Sequence, residues 1–174
     1  FFINERPFRF DVTNASICDK NGNLLFYTNG IAIDNRWQQI MENGERINPG
    51  EFTDGWVELG NRINQGALIL PQPGVDSLYH LFYTELEVVE YQEELIPTGG
   101  RFHHALIEFT EDKPLGFVAD KDFPLIIDTL ESGKITAVKH GNGRDWWIVI
   151  PYWDANDYHF FLLNNKGLHD HGIQ

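Results

Sequence analysis

Short apolar, β-prone runs recur along the chain and are separated by clusters of turn-forming residues. The clearest runs are Leu24–Thr28, residues 77–84 and residues 146–152. In the second and third runs, apolar side chains occupy both odd and even positions, which predicts strands that are covered on both faces. Evidence for helix is confined to residues 85–95, a short acidic segment without an N-cap that is equally compatible with an excursion loop. The pattern predicts an all-β fold.

The three clearest runs also share a context, because each follows a turn-forming segment that contains a glycine. The glycines are Gly22, Gly74 and Gly143. The inner strands that follow them begin near residues 24, 78 and 146. Propeller repeats run at roughly 40–50 residues, and the spacings here are longer. We interpret residues 43–64 and 85–100 as excursions between strands that account for the extra length.

This recurrence predicts antiparallel four-stranded blades of a β-propeller-like domain. About three blades fit the chain, in repeat units at residues 10–64, 65–130 and 131–174. Three blades do not close a ring, so we expect an incomplete ring or a fragment of a larger domain. A β-sandwich is the alternative, and both architectures predict a structure nearly free of helix.

Composition excludes several classes of partner. The 174 residues include 13 Lys and Arg against 26 Asp and Glu, a net charge of −13. Such a chain repels phosphate backbones and anionic lipid surfaces, so neither nucleic acid nor membrane insertion is expected. No apolar run reaches the roughly 18 residues of a membrane span, and the single Cys18 cannot form an internal disulfide. The chain starts at Phe1 without methionine, which we interpret as a mature or trimmed piece of a longer protein.

No motif of a known catalytic site is present. The serines Ser16, Ser77 and Ser132 lie outside any G-x-S-x-G elbow, and Cys18 has only Lys20 as a nearby basic residue. The sequence around Gly133 lacks the glycine-rich cradle of a phosphate-binding loop. We therefore predict no catalytic residues and consider an enzyme the less favoured interpretation.

One segment has the spacing of a metal-binding loop. Asp19, Asn21 and Asn23 are alternate oxygen-bearing residues of the kind that open a calcium loop. The next required positions hold Leu24 and Gly30, and a hairpin turn explains the same residues without a metal. No cofactor is predicted, and calcium at this segment is the weak alternative.

The candidate binding residues are a turn histidine, its acidic neighbour and two tryptophans near loops: His140, Asp145, Trp37 and Trp56. Tryptophans can stack on sugar rings, although packing within the fold is the alternative for them. For His140, a backbone hydrogen bond within the turn is the alternative. Glycoside hydrolysis would need two facing carboxylates about 5–10 Å apart, and no motif selects such a pair. The densest acidic run could form a face for a cation or basic partner, or could serve solubility alone: Glu85, Glu87, Glu90, Glu93 and Glu94.

Three ordered strings resemble a known group of proteins. They are residues 21–30 with Asn35 and residues 41–44, then residues 65–74, then residues 135–148. Together they are similar to the N-terminal repeat region of large, gliding-motility-associated surface proteins that gliding bacteria export by type IX secretion. The resemblance extends over most of the chain, from about Ala15 to Leu168.

The resemblance implies a β-propeller-like domain, secreted or on the cell surface, with a role such as adhesion. It also implies further domains of the same polypeptide, and it supplies no catalytic residues. We therefore expect a non-enzymatic recognition or scaffold module whose partner is a protein or glycan of unknown identity. The rival hypothesis is a carbohydrate-binding or glycoside-hydrolysing propeller.

Overall fold

A computed structural model describes residues 9–174, so the Phe1 start lies outside the described residues. The described part folds into three antiparallel sheets and is 51% strand and 2% helix. The prediction of an all-β protein nearly free of helix is confirmed. None of the three sheets closes on itself.

Each sheet is a meander of consecutive strands, and the sheets follow one another along the chain. Sheet A contains β1 (Ala15–Cys18), β2 (Leu24–Thr28) and β3 (Ile33–Asn35). Sheet B contains β4 (Ala67–Pro71), β5 (Leu78–Tyr91), β6 (Glu94–Glu108) and β7 (Phe117–Ile126). Sheet C contains β8 (Thr136–Lys139), β9 (Trp146–Pro151), β10 (Tyr158–Asn164) and β11 (Gly167–Ile173). The described residues include one short helix, α1 (Glu51–Asp54), which follows sheet A and precedes sheet B in the sequence.

The expectation of four strands in every unit is wrong for sheet A, which has three strands among residues 9–174. After β3, the chain turns repeatedly instead of forming a fourth strand. Several residues that are not glycine adopt left-handed backbone angles there: Gln38, Asn43, Arg46 and Asn48. Left-handed residues interrupt the extended conformation that a paired strand requires.

The predicted glycine turns are confirmed, together with the strands that follow them. The φ angles of Gly22, Gly74 and Gly143 are +83°, +83° and +71°. Glycine is favoured at such angles because it has no Cβ. The strands after these turns, β2, β5 and β9, begin at Leu24, Leu78 and Trp146, so the positions expected from the sequence hold in all three sheets.

Sheet B lies between the other two sheets. One core cluster joins residues of sheets A and B, such as Phe26 and Leu81. The other joins sheets B and C, with Phe102 and Phe161 rings 5.9 Å apart between centroids. Every residue of β5 from Tyr79 to Thr84 is buried, which confirms the two-sided coverage predicted for this strand.

The same prediction is wrong for β9, which is covered on one face only. Its inward side chains Ile148 and Ile150 are fully buried, whereas Trp147 and Val149 on the other face are half-buried. Alternation of apolar residues shows that both faces are apolar but not that both are covered. Sheet C therefore has one covered and one uncovered face.

The segment predicted as a helix or loop, residues 85–95, is a two-stranded ribbon. Beyond Thr84, β5 and β6 continue to pair with each other as far as Tyr91 and Glu94. Gln92 and Glu93, at the tip, both have positive φ, the geometry of a tight hairpin turn. Pairing of β5 with β6 satisfies the backbone N–H and C=O groups of this segment. A helix here would have had no N-cap residue for the unpaired N–H groups of its first turn.

Leu130 connects the base of this ribbon to sheet C. It forms one isolated bridge to Gly99 of β6 and another to Tyr152, which follows β9. Leu130 is itself fully buried. A single residue in the connection between the two sheets therefore joins their backbones.

The connection between sheets B and C also supplies a test of packing. At Gly133, where φ is +73°, an added Cβ would lie 2.2 Å from the carbonyl oxygen of Asn64, whereas at Gly22 it would meet nothing within 4 Å. Both Gly→Ala changes incur about 1–2 kcal/mol of backbone strain. The overlap adds about 1–3 kcal/mol at Gly133 alone. Urea unfolding of the two variants should therefore rank Gly133→Ala as the less stable, and equal stabilities would contradict the contact with Asn64.

Candidate functional site

The three glycine turns meet at one end of the stacked sheets and enclose a cleft of about 580 Å³. We call it the three-turn cleft. Its lining comes from the first turn of each sheet: residues 17–21 of sheet A, residues 71–76 with Tyr79 of sheet B, and Lys139, Gly143, Arg144 and Trp146 of sheet C. Because the sheets stack face to face, corresponding turns that are far apart in sequence lie side by side.

In the sheet A turn, the Asp19 carboxylate organises the backbone. Its Oδ1 accepts hydrogen bonds from the backbone N–H groups of Asn21 and Asn23, at 2.8 and 2.9 Å. Its Oδ2 accepts one from the Asn23 side-chain amide at 2.9 Å. These bonds, the side-chain one foremost, lower the pKa of Asp19. The turn thus explains the three calcium candidates, and no group of three or more His, Cys, Asp or Glu in residues 9–174 is arranged to hold a metal ion.

In the sheet C turn, Asp145 holds Arg144 in a fixed position. The nearly buried Asp145 carboxylate accepts hydrogen bonds from Arg144 Nε at 2.7 Å and Nη2 at 3.2 Å. Asn142 donates a third hydrogen bond to it at 2.7 Å. Hydrogen bonding to Arg144 is the main cause of the lowered pKa of Asp145. Two-pronged pairing of this kind restricts a guanidinium to one orientation.

His140 is part of the same turn. Its backbone N–H donates to the Asp145 carbonyl at 2.9 Å, and its Nδ1 accepts from the Asn142 N–H at 3.1 Å. His140 and Asp145 do not line the three-turn cleft themselves. Their hydrogen bonds instead hold the turn that places Arg144 in the lining of the cleft.

Lys139 is the cation of the cleft with no carboxylate partner within 4 Å among the described residues. Its Nζ lies 3.7 Å from the centroid of the Trp146 ring and donates to the Arg144 carbonyl at 3.2 Å. Lys20 pairs only loosely with Asp76, at 3.8 Å between two exposed side chains. The lining therefore carries three cations, Lys20, Lys139 and Arg144, against the two acids Asp19 and Asp76. Asp145, directly behind the lining, balances the charge of Arg144. The charges at the cleft are therefore even, in a chain whose net charge is −13.

A buried chain of hydrogen bonds leads inward from the cleft through Gln72. The Gln72 Nε2 donates to the Asn164 carbonyl at 2.7 Å, so its Oε1 accepts from His80 Nε2, also at 2.7 Å. His80 Nδ1 then accepts from His104 Nε2 at 2.8 Å. Since an amide oxygen only accepts, His80 carries a proton on Nε2. When both histidines are neutral, His80 Nδ1 is an acceptor and His104 carries its proton on Nε2.

Burial lowers the pKa of His80 to about 3, with the neighbouring His104 as the second cause. Burial likewise lowers the pKa of His104 to about 4. The sequence offered one signal for this pair, which is the placement of His80 in an otherwise apolar strand that is covered on both faces. The contact with Gln72 and His104 depends on strand register and was not predicted.

The two candidate tryptophans do not join the cleft. Trp37 is 65% exposed and lies beside the Arg36 guanidinium, 5.7 Å from its ring centroid. Trp56 is half-buried under Arg62, at 4.3 Å. Neither ring lines the three-turn cleft. The four candidate binding residues therefore do not form one site.

No helix in the described part of the chain is long and apolar enough to cross a membrane. No family model, curated protein or solved structure matches the chain. The geometry of the three-turn cleft is therefore the guide to what the chain binds.

Proposed function

We propose that this chain is a non-enzymatic recognition module of an exported surface protein and that it binds an acidic glycan in the three-turn cleft. The observation that carries the proposal is the convergence of three corresponding turns on one cleft, in which Lys139 has no carboxylate partner among the described residues. We interpret the three sheets as propeller-like blades, an architecture in which the turns at one end commonly share a binding surface.

The lining has the mixture of groups that sugars require. Trp146 and Tyr79 supply aromatic surface, and Pro71 and Pro73 supply further apolar surface. Lys139 supplies an ammonium group without a carboxylate partner among the described residues, and Arg144 supplies a guanidinium whose orientation is fixed by Asp145. Charged donors favour a ligand that carries carboxylate or sulfate groups over a neutral one.

The ionisation state of Asp19 favours binding of a glycan over its hydrolysis. A glycosidase needs one carboxyl group with a raised pKa to protonate the leaving group. The pKa of Asp19 is lowered, and both its oxygens accept hydrogen bonds from the turn. Asp19 is therefore ionised at neutral pH and unsuited to the role of proton donor.

The first test is a glycan array that carries neutral and acidic oligosaccharides. We expect retention of uronate- or sulfate-bearing glycans that weakens as salt is added, because the cations of the cleft are exposed. Lys139→Ala should weaken binding by about 10–100-fold, the loss of one charge-assisted hydrogen bond of about 1.5–3 kcal/mol. Titration calorimetry with the best glycan measures this ratio.

The matched control is Lys134→Ala, which removes the same charge from an exposed lysine paired with Glu131 before β8. It should leave the affinity unchanged. Chromogenic glycosides should stay intact with both variants and with the parent protein. Silence of the whole array, or equal weakening by the two variants, would remove the cleft as the binding site, and turnover of a glycoside would favour the enzymatic hypothesis.

A further inference from the structure

A second pocket lies at the base of the ribbon and shares no residue with the three-turn cleft. Its volume is about 400 Å³, which is within the usual range of small-molecule sites. We call it the ribbon-base pocket. Its lining comes from four segments of the chain: residues 51–52 of α1, residues 85–87 of β5, residues 100–101 of β6 and residues 127–129 after β7.

The lining of this pocket is strongly acidic. It contains one cation, Arg101, and four carboxylates: Glu51, Glu85, Glu87 and Asp128. The cation pairs with Glu85, with Arg101 Nη1 at 3.3 Å from Glu85 Oε2. The other three carboxylates have no lysine, arginine or histidine side-chain nitrogen of residues 9–174 within 4 Å. The protein itself therefore leaves most of the negative charge of the pocket unpaired.

Two glycines make room for the acids of β5. A Cβ added to Gly100 would lie 3.2 Å from the Cβ and 3.5 Å from an oxygen of Glu87, and 3.7 Å from the Cβ of Glu85. A Cβ added to Gly50, just before α1, would lie 2.9 Å from Glu85 Oε1. Glu85 and Glu87 thus lie side by side next to Gly100, where their like charges repel each other. A bound cation would relieve this repulsion.

The buried His103 is an independent sign that a polar ligand enters the pocket. It is 6% exposed, and neither of its ring nitrogens has a hydrogen-bond partner, which is rare for buried polar atoms. Its Nε2 faces Oε2 of Glu85 at 3.8 Å, too far for a hydrogen bond. The two atoms are less than twice a hydrogen-bond length apart, so one ammonium group can donate to both when the imidazole is neutral.

The arrangement of the lining selects the chemistry of this ligand. The acids come from separate segments, and no three His, Cys, Asp or Glu side chains of residues 9–174 are grouped to hold one metal ion. Separate carboxylates match a ligand that carries separate ammonium groups. Apolar surface for the methylene groups between them comes from Phe52, Leu86 and Ile127, of which Phe52 and Ile127 are exposed.

We propose that the ribbon-base pocket binds an aliphatic polyamine, a short alkyl chain with two or more ammonium groups. One ammonium group binds at Glu85 and Glu87, in competition with Arg101. The Arg101 side chain is 53% exposed and contacts Glu85 through one nitrogen, so the ligand can displace it. A further ammonium group pairs with the acids of the other segments, Glu51 or Asp128.

Titration calorimetry with spermidine tests the proposal. We expect binding at about 50 mM salt that weakens about tenfold or more at about 500 mM salt, because much of the acidic lining is open to solvent. Butylamine carries a single ammonium group and should bind about tenfold more weakly than spermidine, or worse. Absence of spermidine binding, or equal affinities for the two amines, overturns the proposal.

Glu87→Gln and its matched control, Glu90→Gln, locate the site. Both remove one negative charge from β5, but Glu90 is exposed and does not line the pocket. Glu87→Gln should weaken spermidine binding by about tenfold or more, the loss of one charge-assisted hydrogen bond. Glu90→Gln should change it by less than about twofold. Equal weakening by the two variants would show general attraction to an acidic protein and overturns the proposal.

Arg101→Ala gives an expected change of the opposite sign. Because it removes the cation that competes for Glu85, spermidine binding should become about 3–10-fold tighter. A damaged fold would not produce this gain, so the result does not depend on the Glu87 variant folding. Weaker binding to Arg101→Ala than to the parent protein contradicts the competition and overturns the proposal.

Two further probes separate a polyamine from other cations. Calcium chloride should displace spermidine no better than sodium chloride of the same ionic strength. Tighter binding of calcium than of spermidine would identify a metal site instead. A lysine tripeptide that binds more tightly than spermidine and is equally sensitive to Glu87→Gln would assign the pocket to a basic polypeptide. Either result overturns the proposal.

Discussion

Replacing Phe82 with alanine is expected to lower the free energy of unfolding by about 3–5 kcal/mol. Phe82 is fully buried at the centre of β5, where sheet B packs on sheet C. Its ring stacks on Phe102 at 5.9 Å and contacts His104 at 5.2 Å between centroids. Neighbouring strands fix the backbone on both sides, so the cavity left by the ring cannot collapse.

Urea unfolding followed by tryptophan fluorescence measures this loss. The control is Leu95→Ala, since Leu95 is 74% exposed and its removal should change stability by less than about 0.5 kcal/mol. A loss under about 1 kcal/mol for Phe82→Ala would contradict the placement of β5 between two sheets.

The second large effect is a loss of stability in mild acid, caused by the His80–His104 pair, in which His80 is buried and His104 is half-buried. The folded-state pKa values of about 3 and about 4 lie below the value of 6.5 for a free histidine. The unfolded chain therefore binds more protons than the folded chain once the pH falls below about 6.5. Their contribution is complete above that pH and is lost as the pH falls towards 4 and then 3.

In the window from about pH 6 to pH 4.5, each histidine contributes a slope of about 1.4 kcal/mol per pH unit, so the pair approaches about 2.7 kcal/mol per unit. Asp34, whose pKa is raised by burial, opposes this loss. Urea midpoints at several pH values give the slope. Slopes near zero through the window would show that the pair is accessible to protons when folded.

His104→Gln should reduce that slope by about half or more, whatever its effect on stability at neutral pH. The substitution removes one titrating group and gives solvent protons access to the other, His80. The matched control is His169→Gln, at an exposed histidine on β11 that bonds Asn164. Its slope should stay close to that of the parent chain. Equal slopes for the two variants would assign the acid response to other groups.

Local signals explain why part of this fold could be predicted. The starts of β2, β5 and β9 followed from Gly22, Gly74 and Gly143, since left-handed backbone is a local demand that glycine meets. The ribbon at residues 85–99 was not predicted, because no glycine marks its turn. Its tip turns left-handed at Gln92 and Glu93, residues that give no turn signal.

In the candidate site, too, only the contacts between residues that are close in sequence could be predicted. The role of Asp145 in the sheet C turn was partly visible because its partners Asn142 and Arg144 are adjacent in sequence. The three-turn cleft was not visible, because it arises only when three sheets stack. The pairing of His80 with His104 likewise depends on the register of two long strands.

The central position of sheet B has a consequence for how the chain can be divided. The core around β5 is completed by residues from sheets A and C, so no repeat unit encloses a core of its own. Leu130, in the segment that connects sheets B and C, forms backbone bridges to Gly99 of β6 and to Tyr152, which follows β9. A protein expressed as separate repeats would leave one side of β5 in water, so we expect the three repeats together to melt in a single cooperative transition. From this packing we expect that none of the three repeats folds on its own.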